Sequence, residues 1–190
     1  MVSCVINLPQ RTDRYELFKE EVKWIGLKPM VIDGIPHLKP EQGIGQAHTN
    51  CIKLAKEQGL PYICIMEDDI VFQAKEKTIE YFNKCLDNLP DSWDILMGGV
   101  YNRGGTTKHN EYWDKISKFC GLHFYIVNAN SYDKLLTWDG INHYDRWLSK
   151  QNLSIFVTAK YIAHQRDGYS DNAKNHTKYN DEHLDKSKLL

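Results

Sequence analysis

Pro61-Tyr-Ile-Cys-Ile-Met-Glu-Asp-Asp-Ile-Val-Phe72 sets an apolar run, Ile63 to Met66, directly before three acids and a second apolar triplet. A run this short, opened by a proline, fits a buried strand. Glu67, Asp68 and Asp69 repel one another where the strand leaves the core. A divalent cation is the usual compensation where hard oxygen ligands cluster, and a solvated acidic turn is the plain alternative. Strand alternation puts Glu67 and Asp69 on one face and Asp68 on the other.

Upstream, residues 2–8 read as a first strand, closed by Asn7-Leu-Pro-Gln-Arg-Thr-Asp-Arg14. Tyr15, Phe18, Val22 and Ile25 share one helical face, and Gly26 stops that helix. Residues 28–33 form a second strand, 35–43 a proline-containing loop, and 45–58 a helix that buries Ala47, Cys51, Leu54 and Ala55. Strand, helix, strand, helix, strand at these spacings predicts a parallel, doubly wound α/β sheet. Ligands bind such sheets beyond the carboxyl ends of the strands, where both the Asn7–Arg14 stretch and the acids lie.

Downstream, Ile79, Phe82, Leu86 and Leu89 mark another helix, followed by a strand over 93–97. The glycine-rich stretch from 98 to 105 reads as a loop running on to about Trp113. A strand over 121–128, short helices over 131–136 and from 143, and a closing strand over 155–163 complete the domain. Residues 1–170 are assigned to that domain, and 171–190 to a polar, loosely held C-terminal tail.

The chain has 190 residues, enough for one domain with a real core. Its formal net charge of −1 provides no basic field for nucleic acid or an anionic membrane. No apolar run approaches the ~20 residues that span a bilayer, and Met1 leads straight into a strand rather than a signal peptide. The five cysteines are scattered and lack a Cys-x-x-Cys pair, so they read as reduced thiols. A cytoplasmic location is the expectation.

Four segments carry a resemblance: Asn7-Leu-Pro-Gln-Arg-x-Asp-Arg14, Gly45 opening a helix with His48, Ile65-Met-Glu-Asp-Asp-Ile-Val-Phe72, and Trp93-Asp-Ile-Leu. In order and spacing they resemble glycosyltransferase family 25, which includes lipopolysaccharide-type and collagen galactosyltransferase-like enzymes. Members usually carry Ser-His where this chain has His48 followed by Thr49. The resemblance implies a GT-A fold, a single Rossmann-like domain with a mostly parallel twisted sheet flanked by helices. It implies transfer of a hexose, galactose or glucose, from a UDP-sugar to a hydroxyl of a glycan or protein, with inversion as the expected outcome. A non-catalytic nucleotide-sugar or glycan-binding module on the same fold is the alternative. A nucleotidyltransferase is less well supported, because no Gly-rich phosphate loop is present.

The resemblance makes Asp69 the direct ligand of Mn²⁺ or Mg²⁺, with Glu67 beside it. His164, at the end of the last strand, is the expected third ligand and would favour Mn²⁺; a satisfied histidine at the core edge is the alternative. Asn7, Leu8, Arg11, Arg14, Asp33 and Asp68 are the expected donor-binding residues. Asn7 could equally shape the turn, and Asp13 complement the helix dipole. Arg166 is expected to close over the diphosphate, with Gly168 as hinge and Tyr169 on the sugar. Asp145 is the expected general base, or else a helix-start carboxylate. His123, His143, Asn102 and Arg103 are candidates for the acceptor pocket.

Overall fold

The computed structural model describes residues 1–102, 104–178 and 184–190. The first half runs β1 (Ser3–Asn7), α1 (Thr12–Lys23), β2 (Met30–Asp33), α2 (Pro40–Glu57), β3 (Tyr62–Glu67), β4 (Ile70–Phe72) and α3 (Lys75–Asp87). It continues through β5 (Ile95–Met97), β6 (Tyr101–Asn102), β7 (Thr106–Lys108), β8 (Trp113–Ile116), β9 (Phe119–Cys120) and β10 (Phe124–Asn128). Then come α4 (Tyr132–Leu135), α5 (Tyr144–Leu148), β11 (Ile155–Thr158), β12 (Ala163–Gln165), β13 (Gly168–Ser170) and β14 (Asn175–Thr177).

The central sheet has eight strands in the order β2-β1-β3-β10-β5-β11-β8-β7. β1 pairs in parallel with both β2 and β3, and β5 with β11. β10 is wedged antiparallel between β3 and β5. β8 is likewise antiparallel to its neighbours β11 and β7. The expected mostly parallel α/β sheet is therefore present in the sense that six of its eight strands run one way, with β10 reversed at its centre and β8 reversed near one edge.

The pleat of β3 sorts its side chains into two cores. Ile63 and Ile65 pack with Cys51, Ile52 and Ala55 of α2, whereas Cys64 and Met66 pack with Phe18 and Val22 of α1. All four β3 residues have no solvent exposure, each worth roughly 1.5–3 kcal/mol for a side chain of aliphatic size.

Three boundaries differ from the sequence reading. α2 begins at Pro40 rather than Gly45, because Pro40 sits in its first turn, where a missing N–H costs nothing. The glycines that looked like a helix start are packing residues: a Cβ on Gly45 would lie 2.3 Å from Cη2 of Trp138. The presumed loop up to Trp113 contains β6 and β7. Trp113 is itself an anchor, fully buried with Nε1 donating to the Cys85 carbonyl at 2.9 Å.

The presumed loose tail is also structured where it is described. β14 pairs with β13, and Leu189 bridges to Tyr161. Leu184 and Leu189 pack on one core and Leu190 on the other, while Lys188 Nζ meets buried Asp114 at 2.7 Å. Average polarity hid these three leucines. Described residues beyond 170 thus pair with, or pack on, the rest of the chain.

Among the described residues no helix is long and apolar enough to cross a membrane. Cys4, Cys51, Cys64 and Cys85 are buried thiols, and burial pushes Cys64 and Cys85 up to about 12.

Candidate active site

β1 ends at Asn7 and β3 at Glu67, side by side in a parallel pair. Asp68 and Asp69 form the turn between β3 and β4. Strand alternation therefore stops at Glu67, and Asp68 does not face away. All three carboxylates line one cavity of about 650 Å³. Leu8, Gly34, His48, His143 and Asp145 also line it. Ser170 to Lys174, from the β13–β14 hairpin, cover one side.

Each carboxylate oxygen in the triplet meets a protein group. Asp68 Oδ2 accepts from Asn7 Nδ2 at 2.6 Å and Oδ1 from Arg14 Nη1 at 2.9 Å. Arg14 Nη2 reaches Asp69 Oδ2 at 3.3 Å, so a single guanidinium spans both aspartates. Gln165 Nε2 donates to Glu67 Oε2 at 3.0 Å and lies 3.3–3.4 Å from both oxygens of Asp69. His48 Nε2 stands 3.3 Å from Glu67 Oε1, without a well-directed hydrogen bond.

Behind this front lies a buried aromatic layer. His48 Nδ1 is 2.8 Å from the Tyr125 hydroxyl, and Tyr144 stacks on the His48 ring with centroids 5.6 Å apart. Trp147 and Trp138 in turn pack against Tyr144. The stack covers one face of the imidazole that stands beside Glu67.

Electrostatics follow from burial. Desolvation, then repulsion from Glu67, pushes the Asp69 carboxyl up to about 7. Desolvation also raises Asp68, against the pull of Arg14. Burial is the largest influence on Glu67 and works to raise it, but His48, His123 and Arg14 together outweigh it and hold the group below the usual range. His123, fully buried, is driven down to about 4 by desolvation and stays neutral. Three acids thus face one firm cation, Arg14.

The remaining expected residues divide. Arg14, Leu8 and Asp145 reach the cavity. Asp145 Oδ2 accepts from the Gly121 N–H at 3.1 Å and Oδ1 from the Arg146 N–H at 2.7 Å, which fixes its plane. Asp33 is exposed at the end of β2, one residue from the lining Gly34. Arg11 is taken up by Asp13 and Asp171 instead of facing the cavity. Arg166 bonds Glu21 at 2.9 Å, so its side chain is turned outward and forms no lid.

His164 is the main correction. β12 pairs with β4 in the register Gln165↔Ile70 and His164↔Val71. Alternation then sends Gln165 to the acids and His164 to the opposite face, where Nδ1 meets the Gln73 amide. His123 sits behind the acids with Nε2 on the Ala163 carbonyl at 3.2 Å. Tyr169 stacks edge-on with His176 at 5.8 Å and gives its carbonyl to Arg14. The Asn102 side chain and Arg103 lie outside the described residues. The sequence reading missed Gln165, which the alternation Ala163, Gln165 along the last strand would have marked.

Among the described residues, no three His, Cys, Asp or Glu side chains gather around one point. Glu67 and Asp69 do converge, on the Gln165 amide. Their donor type, hard oxygen, and the two negative charges left after Arg14 fit a hard divalent cation.

No protein-family model matches the sequence, and no curated protein matches it. Solved structures do match. A glycosyltransferase involved in the glycosylation of the major capsid of PBCV-1 superposes with a TM-score of 0.52 at 10% identity, covering 83% of this chain and 81% of that one. Protein A197 from STIV matches with a TM-score of 0.51 at 11% identity, again over 83% of this chain and 81% of that one. At such identities the likeness is one of fold, and the chain has the α/β, GT-A-like architecture.

Proposed function

We propose that this chain is a metal-dependent glycosyltransferase of the family 25 type, moving a hexose from a UDP-sugar to a hydroxyl of a glycan or protein with inversion. The observation that carries the reading is the Glu67-Asp68-Asp69 turn. Its two aspartates are buried and Glu67 is partly so, it is under-neutralised, and it is set at the carboxyl edge of β1 and β3 on a cavity large enough for a nucleotide sugar.

In this reading the base and ribose lie along Leu8 and Gly34, with Asp33 at the rim for the ribose hydroxyls. Asn7 and Arg14 hold Asp68 in place, and Arg14 also presents its guanidinium to the diphosphate. Glu67 and Asp69 would hold Mn²⁺ or Mg²⁺, which offsets charge developing on the departing diphosphate when bound. Asp145, held by two backbone N–H groups and lining the same cavity, takes the proton of the attacking hydroxyl.

Calorimetric titration with UDP in Mn²⁺ and in EDTA, followed by an assay for nucleotide release from UDP-hexoses, tests the reading. Metal-dependent binding and turnover are expected. Asp69→Asn should weaken metal-dependent UDP binding by about tenfold or more while leaving circular dichroism unchanged. Binding without turnover on any donor would make the chain a non-catalytic module, and no binding at all would remove the reading.

A further inference from the structure

The last strand brings a residue to the acids that differs from the one its sequence suggested. Gln165 is 8% exposed and its amide is the one group shared by Glu67 and Asp69. Its position is fixed by the β12–β4 pairing, which holds its backbone opposite Ile70. The terminal torsion of its amide is broad and two-fold. A half-turn exchanges Nε2 for Oε1 without moving the rest of the side chain.

With no cation present, Nε2 faces the two carboxylates as a donor. A cation between Glu67 and Asp69 reverses that preference, because its neighbour must then be an oxygen. His48 Nε2, buried and without a hydrogen-bond partner, lies 3.3 Å from the other Glu67 oxygen, Oε1, while Gln165 bonds Oε2. It marks the Glu67 end as a place with bonding capacity still unused.

We propose that Gln165 supplies its side-chain carbonyl oxygen as a ligand to the divalent ion held by Glu67 and Asp69. It thereby fills the place that an imidazole from this strand would otherwise take. The inference rests on the metal-dependent reading above. Its chemical consequence is an all-oxygen protein ligand set, which accepts Mg²⁺ and Mn²⁺ on similar terms. A nitrogen ligand would instead tilt the site toward Mn²⁺ and the later, more nitrogen-seeking ions.

The test is metal binding itself, read by Mn²⁺ electron paramagnetic resonance and by calorimetry with UDP present. Wild type, Gln165→Ala, Gln165→Glu, Gln165→His and His164→Ala are compared, with thermal unfolding as the check on folding. The Gln165→Ala variant should bind Mn²⁺ about tenfold or more weakly, and His164→Ala should bind like wild type. Gln165→Glu is the more discriminating variant. Without metal it adds a fourth carboxylate and lowers Tm, but with Mn²⁺ it should bind more tightly than wild type and recover. Gln165→His should raise the preference for Mn²⁺ over Mg²⁺. If wild type binds Mn²⁺ while Gln165→Ala binds equally well, or His164→Ala loses the ion, the Gln165 assignment is overturned and the enzymatic reading stands. If wild type binds no Mn²⁺ with UDP present, the metal-dependent reading falls and this inference with it.

Discussion

Replacing Arg14 with Gln removes the only guanidinium among the described residues that touches both Asp68 and Asp69. Both carboxylates are 8% exposed at the side chain, and Arg14 is 19% exposed, so little water is available to take its place. Breaking a buried pair by deleting one partner costs about 3–5 kcal/mol. Two effects reduce that figure here: Asn7 still donates to Asp68, and Asp69, already raised to about 7, can take up a proton. A loss of about 2–3 kcal/mol in EDTA at pH 8 is expected, or a Tm drop of roughly 5–10 °C for a chain of this size. The sign of the pH dependence follows from Asp69. Its folded value lies above the unfolded one, so the native state binds more protons and stability falls as pH rises between about 4 and 7. Without Arg14 the folded value climbs further, so the variant should recover more than wild type on going from pH 8 to pH 6. Mn²⁺ should also rescue the variant by more than it stabilises wild type, because three carboxylates rather than two charges then await it. Urea denaturation at the two pH values, with and without Mn²⁺, measures all of this. A variant as stable as wild type at pH 8, or one less responsive to Mn²⁺, would refute the view of Arg14 as the internal counter-ion.

Other perturbations probe separate parts of the molecule. Asp145→Asn should lower kcat by roughly 10²–10⁴-fold with UDP affinity retained; a change in affinity alone would mean that it only positions the donor. Gly45→Ala should cost about 1–3 kcal/mol by driving a methyl group into the Trp138 ring, visible in denaturation monitored by tryptophan fluorescence. Tyr125→Phe removes the hydroxyl at 2.8 Å from His48 Nδ1 and should cost about 1 kcal/mol, with a shift of the His48 ring signals in NMR. Leu189→Ala should destabilise by about 1–2 kcal/mol, since its side chain is only partly buried; no change in urea midpoint would return the C-terminal residues to the status of a loose tail.

The parallel part of the sheet was legible because each unit combines a strand, an amphipathic helix and a stop signal, all local features. The acids were legible for the same reason: three adjacent charges after a buried strand cannot be a packing accident. What escaped is non-local. The choice between His164 and Gln165 depends on which residue of β12 stands opposite Ile70, and a one-residue shift in register exchanges the two faces. The engagement of Arg11 by Asp171 and of Arg166 by Glu21 joins residues 160 and 145 positions apart, beyond any spacing rule. The C-terminal leucines were hidden among lysines and asparagines, since three anchors scarcely alter average polarity. Asp68 was misplaced because alternation was extended one residue past the end of its strand.

The reversed strand at the middle of the sheet has a consequence for how the chain comes into being. β1, β2 and β3 assemble from neighbouring segments, but the partner for the far edge of β3 is β10, whose pairing residues run from 124 to 128. During synthesis the Ile63–Met66 edge therefore waits, with its backbone N–H and C=O groups unpaired, while about sixty more residues leave the ribosome. An apolar strand edge in that condition is a template for pairing with another copy. The acids at its end and the lysines of α3 that follow are then the nearest charges opposing such pairing. The same three carboxylates that burden the folded core would, at that stage, oppose pairing between nascent chains.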